Sequence, residues 1–259
     1  MPADSSNIFG TETTYVRFGG TIAVEEYGQM PTFNGYVDNY FGIPVVRTGE
    51  RRIQNMQTVI FGCGGVGSNL AYMLSKHPDV ERIYLVDHDI IEVSNLSRQF
   101  FIREDVGKNK AEALATTLQQ FAPEKEFVAL PIKIESEADL GQFGGGNSNY
   151  FAFVCTDNVE SKALISHYFQ YVICLGCDLD LVEMRRRFDR RSVWSVGEGY
   201  NSSQTFESNM FAAAIGFMLF IRGHWSVNHK KIQISRLIHE LLEKGFENPR
   251  REQNGQTNE

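Results

Sequence analysis

"QTVIFGCGGVGSNLAYMLSKH", residues 57–77, runs from an apolar stretch through a glycine loop into a helical pattern. "QTVIFGCGG" reads as a short buried strand, and "GSNLAYMLSKH" sets Leu70, Met73 and Leu74 on one helix face. Between them, "GCGGVG" (62–67) has the spacing G-x-G-x-x-G. Gly62, Gly64, Gly65 and Gly67 permit a tight turn and close backbone approach. The helix that follows offers unpaired N–H groups to a phosphate. The next strand, "ERIYLVD", closes on Asp87, twenty residues after Gly67, where an acid can hold a ribose. A bare strand–helix turn would not need that acid, so a nucleotide pocket is the expectation.

Outward from this unit the pattern repeats. "NKAEALATTLQQFA" is a helix ended by Pro123, "EFVALPIKI" a third strand and "YFAFVCTD" a fourth. The helix "NVESKALISHYFQ" follows, and "YVICLGCDLDLVEMRRRF" supplies one or two further strands. Strands alternating with helices imply crossover units, hence an α/β fold: a Rossmann-like, mainly parallel sheet with helices on both faces. The late strands have no helix between them and predict an antiparallel extension. "FGGGNSN" (143–149) is glycine-rich but follows no phosphate-loop pattern, and "SVGEGYNSSQTF" (195–206) reads as a loop before an apolar helix at 207–221. Residues 1–50, with weak alternation in "TTYVRFGGTIAVEEY", form an N-terminal arm of extended segments. Residues 51–245 form the main domain, and the polar tail 246–259 is expected to be disordered.

Composition narrows the classes. The 259 residues carry a net charge of −7, which argues against broad nucleic-acid or anionic-membrane binding. The apolar run "MFAAAIGFMLFI" (210–221) is shorter than the ~20 residues a membrane span needs. "MPADSSNIFG" has no basic segment leading into an apolar one, so no signal peptide and a cytoplasmic location are expected. The basic run "MRRRFDRR" (184–191) reads as a solvated strand edge and turn rather than a docking patch for an acidic partner. Cys63, Cys155, Cys174 and Cys177 make no disulfide framework. "CLGC" (174–177) has half a zinc site's spacing, which His167 and His224 together could complete; small residues in a buried strand are the preferred reading, so zinc is not expected.

The stretch "VDHDIIEVSNLSRQ" (86–99) and two later positions carry more chemistry. Arg98 follows the second strand, Lys110 starts the next helix, and Asp157 ends the fourth strand. Each alone would read as a surface charge. At the carboxyl end of one open sheet, however, all three can converge on one crevice. Two cations and an acid suit a triphosphate with magnesium: the cations stabilise charge growing on the α-phosphate, and Asp157 offers oxygen to the metal. His88 reads as a packing or surface residue.

In order, "GCGGVG", "DHD" (87–89), "SNLSRQ" (94–99), "VGKNKAEAL" (106–114) and "CTDN" (155–158) resemble the ThiF/MoeB family, the adenylating domain of the ubiquitin-activating superfamily. The resemblance covers about 57–177. It implies ATP and Mg2+ as cofactors and adenylation of the C-terminal glycine carboxylate of a ubiquitin-like or sulfur-carrier protein, with pyrophosphate released. Carried over, Asp87 holds the ribose and Asp89 supports the pocket. Asn95, Arg98 and Lys110 contact phosphates, Asp157 positions magnesium, and Asn158 completes the binding set. A homodimer is implied, as is a conjugating enzyme or sulfur donor downstream.

Three departures matter. The family's structural zinc uses two C-x-x-C pairs, and this chain has one. Its thioester cysteine would sit in the crossover loop, where "YNSSQTF" places Ser202 and Ser203. Direct transfer of the adenylate, a cysteine elsewhere, or a serine that replaces the cysteine all stay open. The family's N-terminal arginine has candidates in Arg47, Arg51 and Arg52, although a surface basic cluster is preferred. Competing functions are adenylation of a small peptide or a tRNA-nucleoside carboxylate, a non-catalytic subunit, and a nicotinamide oxidoreductase.

Overall fold

The computed structural model describes the strand backbones within residues 13–46, and residues 56–144, 149–187, 204–222 and 230–243, without the side chains of 241–243. It divides into two compact units, Met1–Glu50 and Arg51–Glu259. The first contains two antiparallel pairs, β1 (Thr13–Arg17) with β2 (Gly20–Val24) and β3 (Val37–Tyr40) with β4 (Ile43–Val46). "TTYVR" and "GTIAV" are thus the extended segments expected there.

In the second unit the elements run β5 (Gln57–Phe61), α1 (Gly65–Ser75), β6 (Arg82–Val86), α2 (Lys110–Phe121), β7 (Glu126–Leu130) and β8 (Tyr150–Val154). They continue with α3 (Val159–Tyr168), β9 (Tyr171–Cys177), β10 (Leu181–Arg185), α4 (Phe206–Ile221), β11 (Lys230–Gln233) and α5 (Ile234–Glu243). Seven strands form one sheet in the order β11-β10-β9-β8-β5-β6-β7. The strands from β7 across to β9 pair in parallel. From β9 outward, β10 and β11 pair antiparallel, which is the expected extension.

The two-residue strand period builds a core on each face. Ile60, Ile83, Phe151, Phe153 and Leu175 pack with Leu70 of α1, Leu114 of α2 and Ala213 of α4. Val59, Phe61, Val154 and Val172 pack on the other face with Ile165 of α3 and with Phe143. Helices therefore cover both faces.

Three local readings change. β7 stops at Leu130 rather than continuing to Ile134, because Pro131 has no N–H for the ladder. β10 is not an edge, since β11 covers it. Arg185 is accordingly half-buried rather than fully solvated, with its Nε 2.5 Å from Oε1 of the buried Glu183. The tail beyond 245 lies outside the described residues.

Candidate functional site

The chain leaves β5 for β6 on one side and returns to β8 on the other, so the switch point lies between the carboxyl ends of β5 and β8. Ligands of open α/β sheets bind there. Gly62 turns the chain at φ +90°, and a Cβ on it would lie 2.8 Å from the Cys155 carbonyl carbon. Gly67 serves packing: its Cβ would fall 1.8 Å from the Gly62 oxygen. Gly67 does not line the cleft, whereas Gly62, Gly64 and Gly65 do. α1 begins without a side-chain cap, and its first residues, Gly65 and Val66, line the cleft, where a helix N-terminus can offer N–H groups to an anion.

Asp87 braces the loop. Its Oδ2 accepts the Cys63 N–H at 2.7 Å and its Oδ1 the Asp89 N–H at 2.9 Å. Burial raises its carboxyl pKa, and these N–H groups together with Lys110 pull it back. Beside it, Lys110 Nζ lies 2.7 Å from Asp89 Oδ2. Asn109 fixes that geometry, a role the sequence reading missed. Its Oδ1 caps α2 through the Ala111 and Glu112 N–H groups, while its Nδ2 donates to the Asp87 and Asp89 carbonyls.

The 94–99 segment forms the next wall. Asn95 is buried, its Oδ1 accepting the Glu92 N–H at 3.0 Å. Arg98 folds back on this segment, with Nη1 donating to the Ser94 carbonyl at 2.7 Å. Ser68 ties the segment to α1 by accepting the Phe100 N–H and donating to the Gly64 carbonyl.

Across the cleft, Cys155, Thr156, Asp157 and Asn158 continue from β8. Asp157 and Asn158 are exposed, and Asn158 Oδ1 caps α3 through the Ser161 N–H at 2.8 Å. Lys162, also missed, is 2% exposed beneath this wall and donates to the Leu175 carbonyl at 3.4 Å. Burial brings its pKa down to about 8. Burial likewise pushes Cys155 and Cys174 up to about 12, Cys177 to about 11, and raises Cys63. At all four thiols the shift runs away from the thiolate, opposite to the direction that activates a nucleophilic cysteine. Cys174 and Cys177 enter opposite faces of the sheet, so they cannot share a tetrahedral ion.

These walls enclose a cleft of about 610 Å³, lined by Gly62, Asp87, Asp89, Asn95, Arg98, Lys110, Asp157 and Asn158 among others. Within its lining, Gln99 Oε1 and Thr156 Oγ1 are buried without a hydrogen-bond partner. Such orphans are rare and mark a place for a polar ligand. Asp87, His88 and Asp89 bring three ligand atoms within 4.8 Å of one another, but Asp87 is held by two N–H groups and Asp89 by Lys110. Asp157 instead presents an exposed carboxylate, the oxygen donor that Mg2+ takes. Arg47, Arg51, Arg52, Ser202 and Ser203 lie outside the described side chains.

A mainly parallel sheet in this order, with its glycine loop at the switch point, defines the Rossmann-type α/β class. Within that class the chain belongs to the ThiF family, whose model matches residues 41–177, more than half of the chain. It is 29% identical over 141 residues to ubiquitin-like modifier-activating enzyme 5 of Dictyostelium discoideum, covering 51% of this chain and 34% of that protein. It is 34% identical over 119 residues to the adenylyltransferase and sulfurtransferase MOCS3 of Mus musculus, covering 46% of this chain and 25% of that one. The chain thus spans about a third or less of the length of these relatives. E. coli MccB, solved with ATP, matches with a TM-score of 0.54 and 21% identity over 71% of this chain and 65% of MccB, a likeness of fold.

Proposed function

We propose that the chain is an ATP- and Mg2+-dependent activating enzyme, its adenylation domain spanning about residues 51–245. It joins the C-terminal glycine carboxylate of a ubiquitin-like or sulfur-carrier protein to AMP and releases pyrophosphate. The observation that carries this reading is the lining of one cleft by Arg98, Lys110, Asp157 and the glycine loop. A nicotinamide dinucleotide would leave the two cations and the exposed acid without work. Family membership supports the same chemistry, as do relatives named an activating enzyme and an adenylyltransferase.

In this reading the loop N–H groups and the α1 N-terminus hold phosphate, and Asp87 receives the ribose hydroxyls. Asn95, Arg98, Lys110 and Asn158 complete the binding set. A terminal carboxylate is ionised at neutral pH and needs no general base. Its oxygen bonds to the α-phosphorus, the bond from that phosphorus to the bridging oxygen breaks, and pyrophosphate departs with the electron pair. Arg98 and Lys110 offset the charge that develops, and the cleft holds the reactants in line. Magnesium, held through Asp157, supplies charge compensation on the phosphates. Cys63, Cys174 and Cys177 are buried and Cys155 is half-buried. With each thiol pushed away from its thiolate form, the adenylate in this reading passes straight to an acceptor such as a sulfur donor, without a thioester on this chain.

Exchange of labelled pyrophosphate into ATP tests the reading. Exchange should require a carrier ending in a free glycine carboxylate and stop when that carboxylate is amidated. Absence of exchange with such carriers, together with thermal stabilisation by NAD and none by ATP, overturns it.

A further inference from the structure

α4 carries one amide among its apolar residues, Asn209, which is fully buried. Its Nδ2 donates to the Arg98 carbonyl at 3.3 Å, and its Oδ1 accepts the Cys177 S–H at 2.9 Å. A Cβ on Gly65 would lie 2.2 Å from the same Nδ2, so the amide rests against the glycine loop. The partners fix its orientation, because a flipped amide would set oxygen against the Arg98 carbonyl oxygen. Burying an amide costs free energy unless its bonds are made, and an apolar side chain would fill the helix without that cost. What the amide adds is a fixed distance between three segments. Gly65, Arg98 and Cys177 all line the cleft, whereas Asn209 lies behind them.

We infer that Asn209 is a positioning residue: it holds the Arg98 segment against the glycine loop and the β9 wall, and so sets the rate of adenylation. The rate effect rests on the function proposed above; the placement does not. Asn209 lies 111 positions from Arg98, so the link exists only in the folded site. It acts with Ser68, which holds the neighbouring Phe100 N–H at 3.0 Å. The two contacts fix the backbone on both sides of Gln99, itself a residue of the cleft lining.

The test uses the full chain with ATP, pyrophosphate and a glycine-ended carrier. Asn209→Ala should lower kcat for exchange about tenfold, the worth of one good hydrogen bond, with KM for ATP changed less than about twofold. In an Arg98→Ala background the same substitution should change kcat less than about twofold, because its effect runs through Arg98. Equal fold losses in both backgrounds, or a change in KM alone, overturn the inference. Hydrogen exchange without substrates reads the placement itself: amides of Gln99 to Phe101 should exchange at least about tenfold faster in Asn209→Ala. Unchanged exchange there also overturns it, and a wild type inactive in pyrophosphate exchange sinks the proposed function while leaving this readout decisive. If Asn209→Ala fails to fold, Cys177→Ala removes the anchor at Oδ1 and should speed the same amides; no change in that variant counts against the inference equally.

Discussion

Lys110 Nζ and Asp89 Oδ2 are 2.7 Å apart at the mouth of the cleft, with the lysine side chain 10% exposed and the aspartate 51%. The pair holds a cation in place before any ligand arrives, and the exposed aspartate can give way to a phosphate. Lys110→Ala should lower pyrophosphate exchange by about 100-fold or more, the scale for losing a charge-stabilising donor. Asp89→Asn should lower it only about tenfold or less, because the ammonium keeps its charge and loses one anchor. Steady-state exchange rates check both, and equal losses would remove the distinction between a phosphate ligand and its support.

The glycines of the loop divide by what a methyl group would meet. In Gly67→Ala the new Cβ falls on backbone, 1.8 Å from the Gly62 oxygen, so the fold itself must shift. A loss of about 3 kcal/mol or more in a urea melt is expected. In Gly64→Ala the nearest atom is Gln99 Nε2 at 3.8 Å, an ordinary contact. That variant should fold with a loss under about 1 kcal/mol while losing most of the thermal stabilisation by ATP. A reversal of the two results would mean that the glycine roles are misassigned.

What the sequence made legible follows from range. The glycine loop, Asp87, Arg98, Lys110 and Asp157 belong to short patterns whose chemistry is local, and the carboxyl-end rule for parallel sheets brings them together without knowledge of side-chain packing. Asn209 and Lys162 have no such signature. A single amide inside an apolar helix gains meaning only once its face is known to meet the 98 carbonyl. A lysine on a mixed helix likewise reads as solvated until α3 is seen to turn it inward. β11 escaped because "KKIQ" is short and polar, yet it makes β10, which ends at Arg185, an inner strand rather than an edge. The end of β7 was legible in Pro131 and needed only that the missing N–H be given its weight.

The buried thiols give a pH signature. Folding raises Cys155 and Cys174 from 9.0 to about 12 and Cys177 to about 11. Between those values the unfolded chain has lost protons that the folded chain keeps, so stability falls as pH rises above about 9. Lys162 works the other way. Its pKa drops from 10.5 to about 8 on folding, so between those values unfolding takes up a proton and stability gains. Three thiols outweigh one lysine, and urea melts from pH 8 to 11 should show a net decline. Lys162→Met should steepen that decline between pH 8 and 10.5 by removing the opposing contribution. A flat profile in the wild type would mean that the thiols are not buried as described.

Asp157 and Asn158 adjoin at the end of β8, and the geometry separates their tasks. Asn158 accepts the Ser161 N–H at 2.8 Å and starts α3, so Asn158→Ala should cost about 1 kcal/mol of stability, the usual loss for a helix cap. Its effect on exchange should be small beside that of Asp157. Asp157 is exposed, so Asp157→Asn removes a charge without opening a cavity and should leave the unfolding free energy within about 0.5 kcal/mol of wild type. The same change should lower exchange about 100-fold or more at working magnesium concentrations, on the scale of other lost charge-stabilising groups. Part of that loss should return as magnesium is raised, because a weakened metal site can still be filled by mass action. Exchange by Asp157→Asn at the wild-type rate, with the same magnesium dependence, would remove Asp157 from the proposed metal site.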